Sequence, residues 1–568
     1  MVAADRLSAL PNSILVRILS FVPTQQAAAT ALLSRRWRSV WRRTSFLNLD
    51  SRPYAKEERD HFRYCTPTLE YFFEDAHAIL AALRRPRRGS RRRRHGAGLK
   101  RLTLFLEEGA FDSNWYREGD DGCRVAQLLA DPTVARVEEL TISCVQGHSR
   151  DYRYFPPLAS LPCAATLRVL ELTRCTLEPT TTAPSPSLAF PCLTDLTLRS
   201  CFFLEGYLQE MVDAAPALTN LTLGNVSQRA AKPPGSDEWI DEWDYFRLPL
   251  RLRCSTVNSL VLVTFVDEKD LKTSAAGGSG IELDMPSLRF FRFQGYPGKL
   301  SLISPAPGLA RVDLDVARRH HGARSFGWTL SYEPPSHMIA SFSSTTALKV
   351  RLQGIEDIVT ADEDKDGGVI LPTFPNLKLL EIDGKYDNDI RNDMTAVATA
   401  RLLRSCPVMS ELRLRLAMRH NYSDEDEYKE PFDESMDRFE RLARSSAVEL
   451  GGVSDLRDAL TNNCAFRCLE ASLRKVTLRF EAKEVNCFPV QLAKFLAENA
   501  MVLEEMHVDD GSQFWPDHLC HKVEAWRAES FRRKNMPDMA AGFRVCQLPM
   551  DKPVGDSDEE SWYGYDYD

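Results

Sequence analysis

One short apolar motif recurs along most of this chain, and it restricts the possible folds more than any other feature of the sequence. Each copy reads apolar, two others, apolar, one other, apolar. Apolar residues at alternating positions indicate a short strand with one buried face. A constant motif at irregular spacing is typical of a repeat array with variable loops. The copies begin at Leu99, Val137, Leu167, Leu193, Leu218, Val257, Leu288, Leu309, Leu377 and Met409, with a weaker copy at Ala347.

Two neighbouring copies extend into the longer pattern L-x-x-L-x-L-x-x-C-x-L, which resembles that of leucine-rich repeats. In both copies the cysteine stands where the chain turns away from the strand. A small side chain fits such a turn, so we interpret the two cysteines as buried packing residues and not as nucleophiles or metal ligands. The matching residues are Leu167, Leu170, Leu172, Cys175 and Leu177, and then Leu193, Leu196, Leu198, Cys201 and Phe203.

Stacking of the repeats is required, because one repeat cannot bury its leucines alone whereas neighbours share a continuous core. We therefore expect an α/β chain built on an irregular leucine-rich-repeat solenoid, curved, with its strands on the concave side. The exposed strand positions and the long loops between repeats form the natural surface for a protein target. In the two clearest repeats the predicted target contacts are Arg168, Glu171, Thr173, Asp195, Thr197 and Arg199.

A different pattern in the first forty residues predicts three short helices. Apolar residues three and four apart indicate the first helix, with Asn12 or Ser13 as its cap and Pro23 as its stop. Thr24 and Ser34 are predicted caps of the second and third helices. So small a segment cannot bury all of its large apolar side chains. It is either a helical cap on the following domain or a module that presents some of these side chains to a partner.

The order of residues in this segment resembles the F-box in its plant form. The resemblance lies in Leu10-Pro11, Ile14, Ile18-Leu19, the run 33–38 (LSRRWR) and Val40-Trp41. It implies that the helices dock onto a Skp-type adaptor, which is bound in turn to a cullin and a RING subunit. Carried over position by position, the adaptor contacts are Leu10, Pro11, Ile14, Leu15, Ile18, Leu19 and Trp37.

Near the end of the chain the pattern predicts a strand, a helix and a second strand. The strand from Leu473 is followed by a helix with Leu492, Phe495 and Leu496 on one face, and the second strand begins at Leu503. This unit resembles the FBD module found at the end of many plant F-box proteins. We expect it to cap the solenoid by covering an otherwise open sheet edge.

The motifs divide the chain into six segments. We expect an F-box over 5–43, a linker with an arginine-rich run over 44–98 and a leucine-rich-repeat solenoid over 99–420. An acidic linker over 421–464, an FBD unit over 465–515 and an acidic disordered tail over 550–568 follow.

The arginine-rich run holds eight arginines within residues 84–94. It is either a solvated loop, a nuclear-import signal or a nucleic-acid contact. Because the formal net charge of the chain is −8, an attraction of the whole chain to nucleic acid or an anionic membrane is not expected.

Signals for catalysis or metal binding are weak. The acidic run 362–367 imitates a calcium loop, but the position for the bidentate glutamate holds Thr373. Cys464 and Cys468 have no second pair at zinc-finger spacing. No catalytic constellation, cofactor or metal is expected, and neither a secretory signal nor a membrane span is predicted. Scattered single cysteines favour a reducing compartment, so we expect the nucleus, the cytoplasm or both.

These features lead to one main hypothesis and two others. The main hypothesis is a non-catalytic substrate-recognition subunit of an SCF (Skp–cullin–F-box) E3 ubiquitin ligase, in which the solenoid binds a protein target. The alternative is a repeat scaffold whose F-box is vestigial and joins no ligase. A nucleic-acid-binding protein that uses the arginine-rich run is the third.

Overall fold

A computed structural model of the chain falls into two compact units, Met1–Arg289 with Ser301–Gly308, and Phe290–Leu300 with Leu309–Asp568. The described residues contain no helix long and apolar enough to cross a membrane. The structure describes residues 10–41, 44–54, 67–84, 98–107, 124–145, 156–177, 188–229, 250–264, 280–295, 299–316, 335–358, 371–386, 394–418, 466–480, 488–511, 518–540 and 542–547.

The first unit begins with three helices, as predicted: α1 (Asn12–Leu19), α2 (Thr24–Ala29) and α3 (Trp37–Val40), with a 3-10 turn at Thr30–Leu32. Their predicted caps are only partly right. Prolines 11 and 23 occupy the N-cap positions of α1 and α2, and neither helix has a side-chain cap. The N-cap position of α3 is Arg36, without a side-chain cap, although the Ser34 hydroxyl accepts the N–H of Trp37 at 3.4 Å.

Parallel strands follow in the first unit, and the main sheet has the order β1-β2-β3-β4-β6-β8-β11. The strands are β1 (Phe46–Asp50), β2 (Arg101–Glu107), β3 (Glu139–Val145), β4 (Val169–Thr173), β5 (Thr176–Leu177), β6 (Asp195–Arg199), β7 (Phe202–Leu204), β8 (Asn220–Gly224), β9 (Ser227–Arg229), β10 (Leu250–Arg253), β11 (Ser259–Thr264) and β12 (Gly280–Asp284). The helices of this part are α4 (Pro67–Arg84), α5 (Arg124–Leu129) and α6 (Tyr207–Asp213), with 3-10 turns at Arg52–Tyr54, Val134–Arg136 and Leu158–Ser160.

The apolar residues of successive strands lie side by side in register, which explains why the motif repeats. Leu170 of β4 pairs with Leu196 of β6, which pairs with Leu221 of β8, and all three are buried. Burying such a side chain stabilises the fold by about 1.5–3 kcal/mol. The short strands β5, β7 and β9 pair in parallel beyond the turn and repeat the same stacking.

The turn that follows each of the strands β4, β6 and β8 contains a residue in the left-handed conformation. Arg174, Ser200 and Asn225 have φ values of 57°, 51° and 49°. The N–H of Arg174 donates to the carbonyl of Arg199 at 2.8 Å, and that of Ser200 to the carbonyl of Gly224 at 2.6 Å. Cys175 and Cys201, next in sequence, are fully buried. Their interpretation as packing residues is confirmed.

The predicted linker over 44–98 is wrong in two places. The strand β1 pairs in parallel with β2 and so belongs to the repeat sheet. The helix α4 buries Phe72, Phe73, Ala76 and Leu80. Its last residue, Arg84, pairs with Asp131, so the arginine-rich run begins on a helix. The rest of that run lies outside the described residues.

The second unit continues with parallel strands in the order β13-β15-β16-β17-β18-β19-β20-β21. They are β13 (Phe290–Gly295), β15 (Arg311–Val316), β16 (Ala347–Leu352), β17 (Leu379–Tyr386), β18 (Glu411–Met418), β19 (Lys475–Phe480), β20 (Glu505–Asp509) and β21 (Arg544–Gln547); β14 (Lys299–Leu302) follows β13 in sequence. The helices are α7 (Pro335–Ala340), α8 (Met394–Ser405), α9 (Arg467–Ala471), α10 (Phe488–Asn499) and α11 (His518–Arg533), with 3-10 turns at Ile355–Ile358 and Pro537–Ala540.

The strand, helix and strand predicted near the end of the chain are β19, α10 and β20, but they do not cover a sheet edge. Instead β19 pairs with β18, and β20 pairs with β19, so the unit extends the sheet. The helix α11 and the strand β21, which were not predicted, prolong it by one more pairing. The acidic linker, the acidic tail and the calcium-loop imitation lie outside the described residues.

Candidate functional site

Exposed apolar side chains concentrate on the helical module, residues 10–41. Five of the nine large apolar side chains that are exposed among the described residues lie here. Apolar groups gathered on one small element mark an interaction surface, whereas single exposed ones are ordinary. The five are Ile14, Ile18, Phe21, Leu32 and Leu33, exposed by 44%, 39%, 74%, 90% and 69%.

The helix α1 is apolar on two sides, and the two sides have different partners. Leu15 and Leu19 point into a small core that also contains Trp37, Val40 and Trp41. One position earlier in each turn, the isoleucines at 14 and 18 face solvent. The module is thus held together by one face of α1 and presents the other.

This division separates the seven predicted adaptor contacts. Leu15, Leu19 and Trp37 are buried within the module, so the structure assigns them to internal packing. Leu10 is half-buried against the same core, while Pro11 is exposed. An adaptor contact stays a prediction for Leu10, Pro11, Ile14 and Ile18.

Three exposed residues were missed from the sequence: Phe21, Leu32 and Leu33. Phe21 follows α1, and the two leucines follow the alanine-rich α2 at the entrance to α3. A signal existed, because two adjacent leucines at the end of a short helix cannot both face one small core. Together with Ile14 and Ile18 they are the exposed large apolar side chains of the module, and this set of five is called the apolar surface below.

The start of α1 is fixed by a contact across the module. Arg36, just before α3, donates from Nε to the side-chain oxygen of Asn12 at 2.8 Å and also donates to the carbonyl oxygen of Leu10. Because one planar guanidinium group bonds both positions, the residues that open the apolar surface are held in place.

The module is also tied to the first strand of the repeat sheet. The main-chain N–H of Asn48, in β1, donates to the side-chain oxygen of Thr24 at 2.8 Å. Its side-chain amide donates to the carbonyls of Ser20 and Val22 at 2.9 and 3.3 Å. The helices and β1 therefore form one body.

The six predicted target contacts lie on and beside two neighbouring strands. Glu171 and Thr173 of β4 pair in register with Thr197 and Arg199 of β6. Arg199 approaches the carboxylate of Glu171 at 3.7 Å. Asp195 opens β6 on the same face, and Arg168 is exposed at the entry to β4. The structure brings them together, and their role in binding a target stays a prediction.

Metal ligation is not supported by the described residues, and two of the buried cysteines are poor candidates for thiol chemistry. They contain no group of three or more His, Cys, Asp or Glu side chains that could hold a metal ion. Burial raises the pKa of the Cys163 and Cys468 thiols to about 11, so both remain protonated near neutral pH. A protonated buried thiol is a poor nucleophile.

Two family models match the chain. The F-box domain matches residues 7–49. A model described as "FBD-associated F-box protein At5g56370, LRR repeats" matches residues 125–232. The first covers the helical module with most of β1, and the second covers the strands from β3 to β9.

Relatives among curated plant proteins carry the same domains in their names. F-box/FBD/LRR-repeat protein At5g56420 of Arabidopsis thaliana is 24% identical over 72% of this chain and 77% of its own length. F-box/LRR-repeat protein At3g58900 of the same plant is 26% identical over 45% of this chain and 68% of its own length. The match to FBD-associated F-box protein At3g52670 is 35% identical but covers only 14% of this chain and 18% of the relative. The resemblance to plant F-box/LRR-repeat proteins with an FBD unit is confirmed.

Proposed function

We propose that this chain, which carries an F-box and leucine-rich repeats and whose relatives are plant F-box/FBD/LRR-repeat proteins, is the substrate-recognition subunit of an SCF E3 ubiquitin ligase. The F-box binds a Skp-type adaptor, and the repeat strands bind a protein target. The observation that carries the proposal is the apolar surface on a module whose own core is already complete.

Burial in an apolar groove of a partner protein is more favourable for the apolar surface than exposure to water. Removing one isoleucine or leucine side chain from water gains about 1.5–3 kcal/mol. Burying the exposed parts of five such side chains therefore supplies a gain comparable with the cost of association, which is of the order of 4–15 kcal/mol. The inward-facing leucines hold the surface in shape before binding, so little conformational entropy is lost when the adaptor binds.

The chain itself performs no bond-forming step in this proposal. A target held by the repeats is kept at high effective concentration near the transfer machinery, which belongs to the partner subunits. The polar side chains on the strands support this role, because they offer hydrogen bonds and charges to a protein surface.

Reconstitution tests the proposal. The full chain is mixed with a purified Skp-type adaptor, a cullin and a RING subunit and is analysed by size-exclusion chromatography. We expect a four-component complex that elutes as one species. Elution of the full chain apart from the other three subunits would instead favour a scaffold with a vestigial F-box. Adaptor-dependent capture from plant cells with the proteasome blocked then identifies the target.

A further inference from the structure

The polar face of the sheet in the second unit carries charges that change sign from strand to strand. Along one row of paired residues, Asp315 of β15 lies beside Arg351 of β16, which lies beside Asp383 of β17. Arg351 donates to both carboxylates, at 3.2 and 3.3 Å. Opposite charges at directly paired positions stabilise a sheet.

Two further rows of paired residues follow the same rule. One of them consists of Arg292, Asp313, Lys349, Glu381 and Arg413, and in it Lys349 of β16 contacts Glu381 of β17 at 2.8 Å. The other contains Glu411, Lys475, Glu505 and Arg544, and in it Lys475 of β19 approaches Glu505 of β20 at 3.6 Å.

At one place the alternation fails. Arg415 of β18 pairs in register with Arg479 of β19, so two guanidinium groups start from neighbouring strands about 4.8 Å apart. Like charges directly opposite each other destabilise a sheet. Arg413, two residues before Arg415 on the same strand, faces Thr477 instead of a carboxylate on that side. A cluster of three arginines results, here called the arginine cluster.

Solvent reaches this cluster. Arg413 and Arg415 are exposed, and Arg479 is half-buried. Arg413 is bound to Glu411 at 2.8 Å through one edge of its guanidinium group. On their outer sides Arg415 pairs in register with Asp383 of β17, and Arg479 pairs with Asp509 of β20. The Asp383 carboxylate is bound by Arg351 at 3.3 Å, and within the described ranges Arg415 has no ion-pair partner. Its donors therefore point to a binding partner that is negatively charged.

We propose that the arginine cluster of Arg413, Arg415 and Arg479 binds an acidic segment of the target protein. This inference rests on the proposed function and names the chemistry of the target. A guanidinium group bonds a carboxylate or a phosphate through two parallel N–H donors, so both glutamate-rich and phosphorylated segments fit. An anion between the two paired arginines also removes their mutual repulsion.

The corresponding rows of the first unit offer no such site. Between β4 and β8 the rows read Val169, Asp195, Asn220, then Glu171, Thr197, Thr222, then Thr173, Arg199, Gly224. No two like charges are paired there, and Asn220 donates to Asp195 at 2.7 Å. The chemistry for an anionic target is thus found in the second unit.

Peptide binding to the full chain tests the inference. Three fluorescent peptides of equal length are compared by anisotropy: one rich in glutamate and aspartate, one with phosphoserines, and one with glutamine and asparagine. We expect the wild type to bind at least one anionic peptide and to show no binding of the neutral peptide. Arg415→Gln should weaken that binding at least fivefold, with a melting temperature no lower than that of the wild type.

A matched control removes the same charge elsewhere on the same face. Arg292 is exposed on β13, four strands away from β18, so Arg292→Gln should change the affinity less than twofold. The stronger anionic peptide identifies the source of the charge, carboxylate or phosphate. Equal losses in the two variants would overturn the inference, as would a wild type that binds neither anionic peptide.

Two more measurements separate the inference from other accounts. A single-stranded oligonucleotide that binds more tightly than either anionic peptide, with loss on Arg415→Gln, would overturn it in favour of nucleic acid. Adaptor binding, measured on the same variants, should not change. Intact adaptor binding without peptide binding refutes the inference alone, whereas peptide binding without adaptor binding refutes the proposed ligase role.

Discussion

The main-chain N–H of Asn48 donates to the hydroxyl oxygen of Thr24 at 2.8 Å, and through this bond the second helix of the F-box is joined to the first strand of the repeat sheet. Thr24 is buried. The same asparagine donates from its side chain to the carbonyls of Ser20 and Val22. Because these groups satisfy one another, the apolar surface keeps a fixed direction relative to β1.

We expect Asn48→Ala to loosen this joint. The substitution leaves two carbonyls that close the first helix without their donor, which costs about 1–3 kcal/mol. Hydrogen–deuterium exchange should speed up over residues 12–29 and remain unchanged in β6 and β8. The control is Asn220→Ala, which removes an exposed asparagine bond on the sheet face. Equal exchange rates over residues 12–29 in the wild type and in Asn48→Ala would show that the side-chain bonds of Asn48 do not hold the helices to β1.

How far the fold could be predicted depends on the length of each local pattern. The eleven motif copies all contain strands, because a six-residue motif that ends in alternating apolar residues suffices to define a buried face. The strand β1 was missed because its segment lacks the first apolar residue of the motif, where Thr44 stands. The helix α4 was missed because its apolar residues are followed by the arginine-rich run, which favours a solvated interpretation of the whole segment.

The surface residues of the F-box were harder to predict. Leu15 and Ile14 are equally apolar, yet one is buried and the other exposed. Which side of α1 faces the core depends on where Trp37 and Trp41 pack, and that is a property of the tertiary structure. The pairing of Arg415 with Arg479 needs the register of two strands that are far apart in sequence, so no local pattern reveals it.

Arg527 is the clearest departure from sequence expectation, since it is an arginine with only 1% exposure. It donates to the carbonyls of Ala497 and Ala500 at 3.1 and 2.8 Å, where α10 ends. The rings of Phe531 and Phe543 lie within 4.6 Å of its guanidinium carbon. Burial lowers its pKa to about 10, so it keeps its charge at neutral pH.

We expect Arg527→Met to destabilise the second unit by about 3 kcal/mol or more, because it orphans several carbonyls at the end of α10. Denaturant unfolding, followed by far-UV circular dichroism, measures this loss. Arg532→Met is the control, since Arg532 is exposed on the same helix and pairs with Glu529 at 2.7 Å. A loss no larger than that of the control would show that the carbonyls find other donors.

Asp131 should give the first unit an acid-sensitive contact. Burial alone would raise its pKa, but hydrogen bonds from Arg84 and Thr133 outweigh burial and hold the pKa below its ordinary value. A carboxyl with a lowered pKa contributes stability above the unfolded value, about 4, and loses it as the pH falls through the folded value. The melting temperature of the wild type should exceed that of Asp131→Asn at pH 6, and the difference should shrink below pH 4. A difference that stays constant between pH 6 and pH 3 would contradict this assignment.

The apolar surface makes the strongest claim about partners, and the structure supplies matched variants for it. Ile14→Ser with Ile18→Ser changes exposed residues, so the fold should remain intact. Leu15→Ala, on the inner face, should instead cost about 2–5 kcal/mol of stability. Ile303→Ser is the control for the loss of an exposed apolar side chain elsewhere, since Ile303 is 53% exposed.

Calorimetric titration of a Skp-type adaptor into the full chain therefore tests the account most directly. The wild type and Ile303→Ser should bind with the same affinity. The double variant should bind at least about 10-fold more weakly, because the exposed parts of two isoleucine side chains, worth about 1–2.5 kcal/mol together, are lost from the interface. Unchanged affinity in the double variant, at an unchanged melting temperature, would contradict the claim that this surface is where the adaptor binds.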